Sequence, residues 1–370
     1  MVVRWVEGDE VRNARWRSEN NAPPPAEIVV VDDDLAADEA HRLATAGTAM
    51  LWRGDFQNAR QLLKAVGRRA GKPGRRRSAT TPAEAFHLHR QHQARQAHLL
   101  GKLLVPLDSD HVIPLRRAPD VRQACLEAYG LAREPSLVSL RELLGVISAH
   151  EWRRTGVDVP GLGDRIHPHY GVFSPVRGEY VDLVAQAPLP SLKLAFDIGT
   201  GTGVLAAVLA GRGVKSIVAT DQDQRALDCA RENIERLGFA DRVSLMRADL
   251  FPRGRAPLVV CNPPWLPAKP SSPLEHAVYD PGSRMLRGFL DRLASHLAPG
   301  GEGWLILSDL AEHLGLRSRD ELIAAIEAAG LSVVGRFDTR PRHPRAADPD
   351  DPLHAARAAE VTSLWRLAVS

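Results

Sequence analysis

The stretch "LKLAFDIGTGTG", Leu192 to Gly203, decides how the second half of the chain is read. "LKLAFDI" is a short apolar run that reads as a buried strand. Gly199, Gly201 and Gly203 then remove side chains where the chain turns into the apolar helix "GVLAAVLAGRG", so a ligand can approach the backbone. Downstream the pattern alternates. "KSIVAT", "RVSLMRA", "APLVVC" and "GWLILS" read as strands, with "QRALDCARENIERLG" and "SRMLRGFLDRLASHL" as helices between them. The helix "RDELIAAIEAAG" precedes two closing strands, "LSVVGRFDT" and "EVTSLWRLAV". Such alternation predicts an α/β fold with a doubly wound parallel sheet, whose ligand lies outside the carboxyl ends of the strands.

Those strand ends carry acids. Around Asp197 the spacing is D-x-G-x-G-x-G; a dinucleotide fingerprint needs glycine where Val204 stands. Asp221, in "ATDQD", falls 22 residues after Gly199, close to the ~20-residue offset of an acid that accepts from ribose hydroxyls. Asp223 reads as the N-cap of the next helix. Asp249, in "RADLF", stands where a carboxylate can accept from an adenine amino group, and Leu250 offers an apolar edge and a backbone N–H. One acid at a strand end is an ordinary cap. Three at consecutive strand ends point to a nucleoside pocket.

The fourth strand ends in Asn262-Pro263-Pro264-Trp265. With "DIGTGTG", "ATDQD" and "RADLF" before it, this series resembles the class I S-adenosylmethionine-dependent methyltransferases that carry an Asn/Asp-Pro-Pro-aromatic motif. That group includes amino-methylating DNA and RNA enzymes and release-factor glutamine methyltransferases. The likeness runs from Arg165 to Ser370. It implies a Rossmann-like, seven-stranded, doubly wound, mostly parallel sheet and S-adenosyl-L-methionine as cofactor. It implies cofactor contacts from Asp197, Gly199, Gly201, Gly203, Asp221, Asp249, Leu250 and Asn262, and catalytic work by Asn262, Pro263 and Trp265. "SPVRGEY" (Ser174 to Tyr180) is similar to the Pro-Arg-Pro-Glu-Thr-Glu segment of the glutamine enzymes, departing from it at Val176 and Gly178. It adds Pro175, Arg177 and Glu179 as candidates.

The motif also makes chemical sense by itself. An amide or aromatic amine has its lone pair delocalised and is a poor nucleophile. The Asn262 side-chain oxygen and the Pro263 carbonyl can accept its two N–H bonds, orienting the nitrogen and stabilising the charge that develops. A residue before proline is pushed to extended geometry, which holds Asn262 outward. Pro264 and Trp265 read as substrate contacts, the indole as a face for a planar amide or base. His169 and Tyr170, in "HPHYGVF", read either as lining of the substrate entrance or as packing residues of a rigid loop.

Residues 1–155 read as a mostly helical accessory domain for substrate recognition, and 156–370 as the methyltransferase domain. Within the latter, 156–190 read as a linker and cofactor-covering segment rich in Gly and Pro. Asp55 reads as the N-cap of the helix "DFQNARQLLKAVGRR". Between Phe56 and Ala83 stand eight basic residues and no acid (Arg60, Lys64, Arg68, Arg69, Lys72, Arg75, Arg76, Arg77). This block can neutralise phosphates or can be a solvated surface. His87, His89, His92 and His98 lack the i, i+4 spacing and companion ligands of a metal site, so no metal is expected.

Across 370 residues the net charge is only +3 and the hydrophobic content 44%, enough for a sizeable core but not the profile of a nucleic-acid-coating protein. Three widely spaced cysteines argue for a reducing compartment. The charged start "MVVRWVEGDEVR" is unlike a secretory signal, and the apolar run "VLAAVLA" is too short to span a bilayer. The expectation is a cytoplasmic enzyme, with no membrane partner, acting on RNA first, a protein glutamine amide second, a small metabolite third. Competing readings are an inactive methyltransferase-fold binding module and a nicotinamide dehydrogenase; Val204 and the Asn-Pro-Pro-Trp corner oppose the latter.

Overall fold

The structure is a computed structural model that describes residues 1–71, 79–175, 178–270, 275, 277–342 and 348–370. Lys72, Arg75, Arg76 and Arg77 of the basic block, the candidate Arg177, and part of the Pro-rich segment near 339–352 lie outside the described residues. The chain divides into two units, Met1–Ser78 with His87–Glu151, and Ala79–Phe86 with Trp152–Ser370.

The first unit contains strands β1 (Val2–Glu7), β2 (Glu10–Arg17), β3 (Ile28–Val31), β4 (Ala49–Trp52), β5 (Leu103–Leu107) and β6 (Ser136–Ser139). Its helices are α1 (Ala37–Ala46), α2 (Phe56–Ala70), α3 (Pro82–Leu100), α4 (Arg122–Tyr129) and α5 (Leu140–Thr155), the first turn of α3 and the end of α5 grouping with the second unit. The strands form one mixed sheet in the order β1-β2-β6-β5-β4-β3. The expectation of a mostly helical domain is therefore corrected. Helices are present as read, and Asp55 caps α2 by accepting from the Gln57 N–H at 2.8 Å, but a six-stranded sheet is their frame. The sheet is not legible in the sequence because β4, β5 and β6 are four- or five-residue segments buried at every position. Strands covered on both faces show no alternation to read.

The second unit opens with a small hairpin, β7 (Val157–Val159) and β8 (Asp164–Ile166), followed by α6 (Glu179–Gln186). The alternating series follows as β9 (Leu194–Ile198), α7 (Val204–Gly211), β10 (Ser216–Asp221), α8 (Gln224–Arg236), β11 (Val243–Arg247) and β12 (Ala256–Cys261). It ends with α9 (Arg284–His296), β13 (Leu297–Ser308), α10 (Leu310–His313), α11 (Arg319–Ala328), β14 (Leu331–Thr339), α12 (His354–Ala359) and β15 (Thr362–Val369). All seven strands read from Leu192 onward are there. The sheet order is β11-β10-β9-β12-β13-β15-β14, with β15 antiparallel to both neighbours and the other pairs parallel. It is a Rossmann-like, doubly wound sheet.

Successive side chains of β9 and β12 point to opposite faces, and both faces are apolar. Ala195, Leu258 and Val260 pack with α7 on one side, while Phe196, Val259 and Cys261 pack with α9 on the other. The chain leaves β9 toward β10 on one flank and returns to β12 on the other, so the switch point of the sheet lies between β9 and β12. Among the described residues no helix is long and apolar enough to cross a membrane.

A buried asparagine that the sequence did not single out ties the hairpin segment to this sheet. Asn233, on α8, accepts from the His167 N–H at 2.8 Å and donates to the carbonyls of His167, Cys229 and Thr202 at 3.1–3.2 Å. Thr202 belongs to the glycine turn. Asn233→Ala should thus strand several buried backbone groups and lower unfolding free energy by about 2–3 kcal/mol in urea denaturation; an unchanged midpoint would mean these bonds are redundant.

Candidate active site

Register brings the candidate residues together. Ile198 at the end of β9 stands opposite Thr220 of β10 and Cys261 of β12, so Gly199, Asp221 and Asn262 follow side by side at one edge of the sheet. Asp221 is in turn opposite Arg247, placing Asp249 two residues past the same edge. The crevice is made by pairing, not by loops.

The glycine turn has left-handed φ at Gly199 (72°), Gly201 (54°) and Gly203 (81°). A Cβ on Gly203 would meet the Ala230 backbone of α8 at 3.2 Å, so this glycine permits helix packing. A Cβ on Gly201 would meet nothing within 4 Å, which marks the side open to a ligand. Gly199 faces Met285, whose Cε lies 2.6 Å from the place a Cβ would take. Met285 comes from α9, whose first turn is capped by Asp280 accepting from the Met285 N–H at 2.7 Å. Nothing in the sequence signalled that contact.

Beneath the turn, Asp197 is fully buried. Its Oδ2 accepts from Thr200 Oγ1 at 2.6 Å and from the Ala206 N–H at 3.2 Å, while Oδ1 has no partner. Burial pushes its carboxyl up to about 6, against the pull of those two bonds. Glu179, at the start of α6, is buried with an unpartnered Oε1, and burial together with the charges of these two acids raises the hydroxyl of the buried Tyr180.

Asp221 accepts from the Gly201 N–H and the Asp223 N–H, each at 3.0 Å, and burial raises its carboxyl above the ordinary range. Asp223 caps α8 by accepting from the Arg225 N–H at 2.9 Å. Asp249 is exposed, its carbonyl held by Arg292 at 2.9 Å. Leu250 has a left-handed φ of 73°, uncommon for a branched residue. Its carbonyl accepts from Thr220 Oγ1 at 2.5 Å, and its side chain rests against Gly288 of α9.

At the fourth strand end, Asn262, Pro264 and Trp265 are half-buried and Pro263 is buried. The Trp265 Nε1–H donates to Asn262 Oδ1 at 2.9 Å. His169 and Tyr170 are placed along α8. His169 Nε2 bonds Glu232 at 2.8 Å and its N–H approaches Cys229 Sγ, while the Arg225 guanidinium stands 5.6 Å over the Tyr170 ring. These contacts are those of loop packing. Among the described residues no group of three or more His, Cys, Asp or Glu could hold a metal ion.

The donor set suits a nucleoside that bears positive charge. Two buried carboxylates each present an unpartnered oxygen, Asp221 offers acceptors at the next strand end, and Gly201 leaves open space. The family model described as "Methyltransferase small domain" matches residues 164–318. Over this stretch the chain is similar to methyltransferase domains. Relatives of this stretch include a ribosomal protein L11 methyltransferase from Pelotomaculum thermopropionicum, 36% identical over 38% of this chain and 39% of that one. A release factor glutamine methyltransferase from Cereibacter sphaeroides is 32% identical over 45% and 63%. A tRNA1(Val) (adenine(37)-N6)-methyltransferase from Shewanella loihica is 31% identical over 36% and 59%. The chain thus spans less than two thirds of the length of each of these relatives. S-adenosylmethionine, the cofactor that the sequence resemblance implies, would supply a methyl group made electrophilic by a sulfonium.

The raised Asp197 carboxyl has a definite sign in stability. Its folded value of about 6 exceeds the ordinary 3.8, so the folded state holds the proton longer and stability falls as pH rises from about 4 to about 6. Asp197→Asn should therefore stabilise the ligand-free chain at pH 7.5, by up to about 3 kcal/mol, with the gain vanishing near pH 4. Urea denaturation at the two pH values measures this; an equal effect at both would place the cause outside the ionisation.

Proposed function

We propose that the chain is an N-methyltransferase acting on a planar amino or amide nitrogen, with RNA as its acceptor class. The observation that carries the reaction type is the placement of Asn262 beside the glycine turn through the pairing of Cys261 with Ile198. A trigonal nitrogen held there donates its N–H bonds to Asn262 Oδ1 and the Pro263 carbonyl. The developing positive charge is met by two fixed acceptors without reorganisation. Asp221 and Asp249 hold the nucleoside of the cofactor, and the buried oxygens of Asp197 and Glu179 complement its cationic end.

The RNA reading draws on α2, which presents Arg60, Lys64, Arg68 and Arg69 on a helix whose apolar face is buried in the first unit. Part of that charge is already engaged, Arg69 with Asp38 at 2.5 Å and Arg60 with Gln57 at 3.0 Å. A protein glutamine amide is the second reading. It is favoured by the 63% coverage of the glutamine methyltransferase relative and by an indole that points its N–H at Asn262.

Tritiated S-adenosylmethionine supplied with total RNA and, separately, with total protein from a deletion strain should label the RNA fraction. Label confined to protein would replace RNA with a glutamine amide. In the same assay Asn262→Ala should lower turnover by at least about 100-fold while cofactor affinity, by calorimetry, stays within about 3-fold. Asp221→Ala should weaken the cofactor itself by at least about 10-fold. Equal loss of cofactor binding in both variants would show the two roles to be misassigned.

A further inference from the structure

Trp265 stands where a substrate-stacking ring was expected, yet its polar edge is committed. The Nε1–H donates to Asn262 Oδ1 at 2.9 Å, and the ring packs against both hydrophobic clusters, one on each face of the sheet. The backbone on its far side is pinned as well. The Leu266 N–H donates to Val278, the Leu266 carbonyl accepts from Asp280, and Leu266 forms a bridge with Tyr279. Leu266 itself is buried among Phe86, Leu310, Leu314 and Leu353. With one neighbour locked and two cores gripping the ring, the indole is a fixed donor.

A fixed donor decides the orientation of Asn262. The carboxamide has an oxygen at one end and an NH2 at the other, and rotation about its last bond exchanges them. The NH2 end facing the indole N–H would oppose two donors, so the oxygen is held on the indole side. A carbonyl oxygen has two lone pairs; the indole takes one, leaving the second for an acceptor N–H. Phenylalanine or tyrosine would keep an aromatic ring here but could not supply this N–H.

We propose that Trp265 is a positioning residue whose indole N–H, rather than its ring face, aligns the Asn262 carboxamide for methyl transfer. This rests on the N-methyltransferase reading given above. Replacing Trp265 by 3-benzothienylalanine, which keeps shape and exchanges N–H for sulfur, isolates the donor. 7-Azatryptophan at 265 restores it. Both are compared with tritiated S-adenosylmethionine and total RNA, or total protein if that fraction takes the label.

The benzothienyl chain should lose about 10- to 100-fold in saturating rate, the order expected when a reacting group is misplaced by an ångström or less. Half-saturating acceptor and cofactor affinity should stay within about 2-fold. The azatryptophan chain should recover the rate, and in an Asn262→Ala background the benzothienyl exchange should cost nothing further. The Trp265 indole N–H resonance, assigned by its disappearance in Trp265→Phe, should move in Asn262→Ala. A benzothienyl chain as fast as the parent, or one with raised half-saturation and unchanged maximal rate, overturns the positioning role and leaves N-methyl transfer intact. A parent chain that binds S-adenosylmethionine but labels neither fraction overturns N-methyl transfer, and the positioning role with it.

Discussion

Everything at the site depends on the parallel register of β9 with its two neighbours. Hydrogen bonding places Ile198 opposite Thr220 on one flank and Cys261 on the other. Three strands therefore end level. The residues that follow them, Gly199, Asp221 and Asn262, must emerge together. A one-residue slip of β12 would exchange its two faces, sending Val259 and Cys261 into the wrong core. The same apolar packing that sets the fold thus sets the distance between the glycine turn and the Asn262 corner.

That edge holds groups unfavourable on their own. Asp197 and Asp221 are carboxylates raised by burial, Leu250 has a backbone disfavoured for its side chain, and Glu179 keeps an oxygen without a partner. Such features persist only when their surroundings over-determine them, and they gather where a ligand is to be held. A cationic nucleoside would relieve the buried acids.

The sequence makes this edge legible because it uses residues with few alternative explanations. Gly199 and Gly201 are needed for φ, Asp221 has its offset from the turn, and two prolines after "VVC" cannot continue a sheet. The first unit was harder. Its central strands are short and buried on both faces, so neither alternation nor length separates them from helix. His169 was ambiguous for another reason: its partner Glu232 is 63 residues away on α8, and no local pattern carries that pairing. Asn233 and Met285 act through contacts of the same long-range kind.

Trp265 marks the limit of reading a motif by residue type. An aromatic after two prolines suggests a platform, and a tryptophan suggests a large one. A tryptophan also has a donor edge, and only the surrounding packing decides whether face or edge is presented. Here both sheet faces contribute to that packing, and Leu266 anchors the chain that follows. On the N-methyltransferase reading a rigid corner suits a delocalised nitrogen, which gains little from being bound tightly and much from being aimed. On that reading the indole serves orientation, and the two cores meeting on it tie the alignment of Asn262 to the packing of both sheet faces.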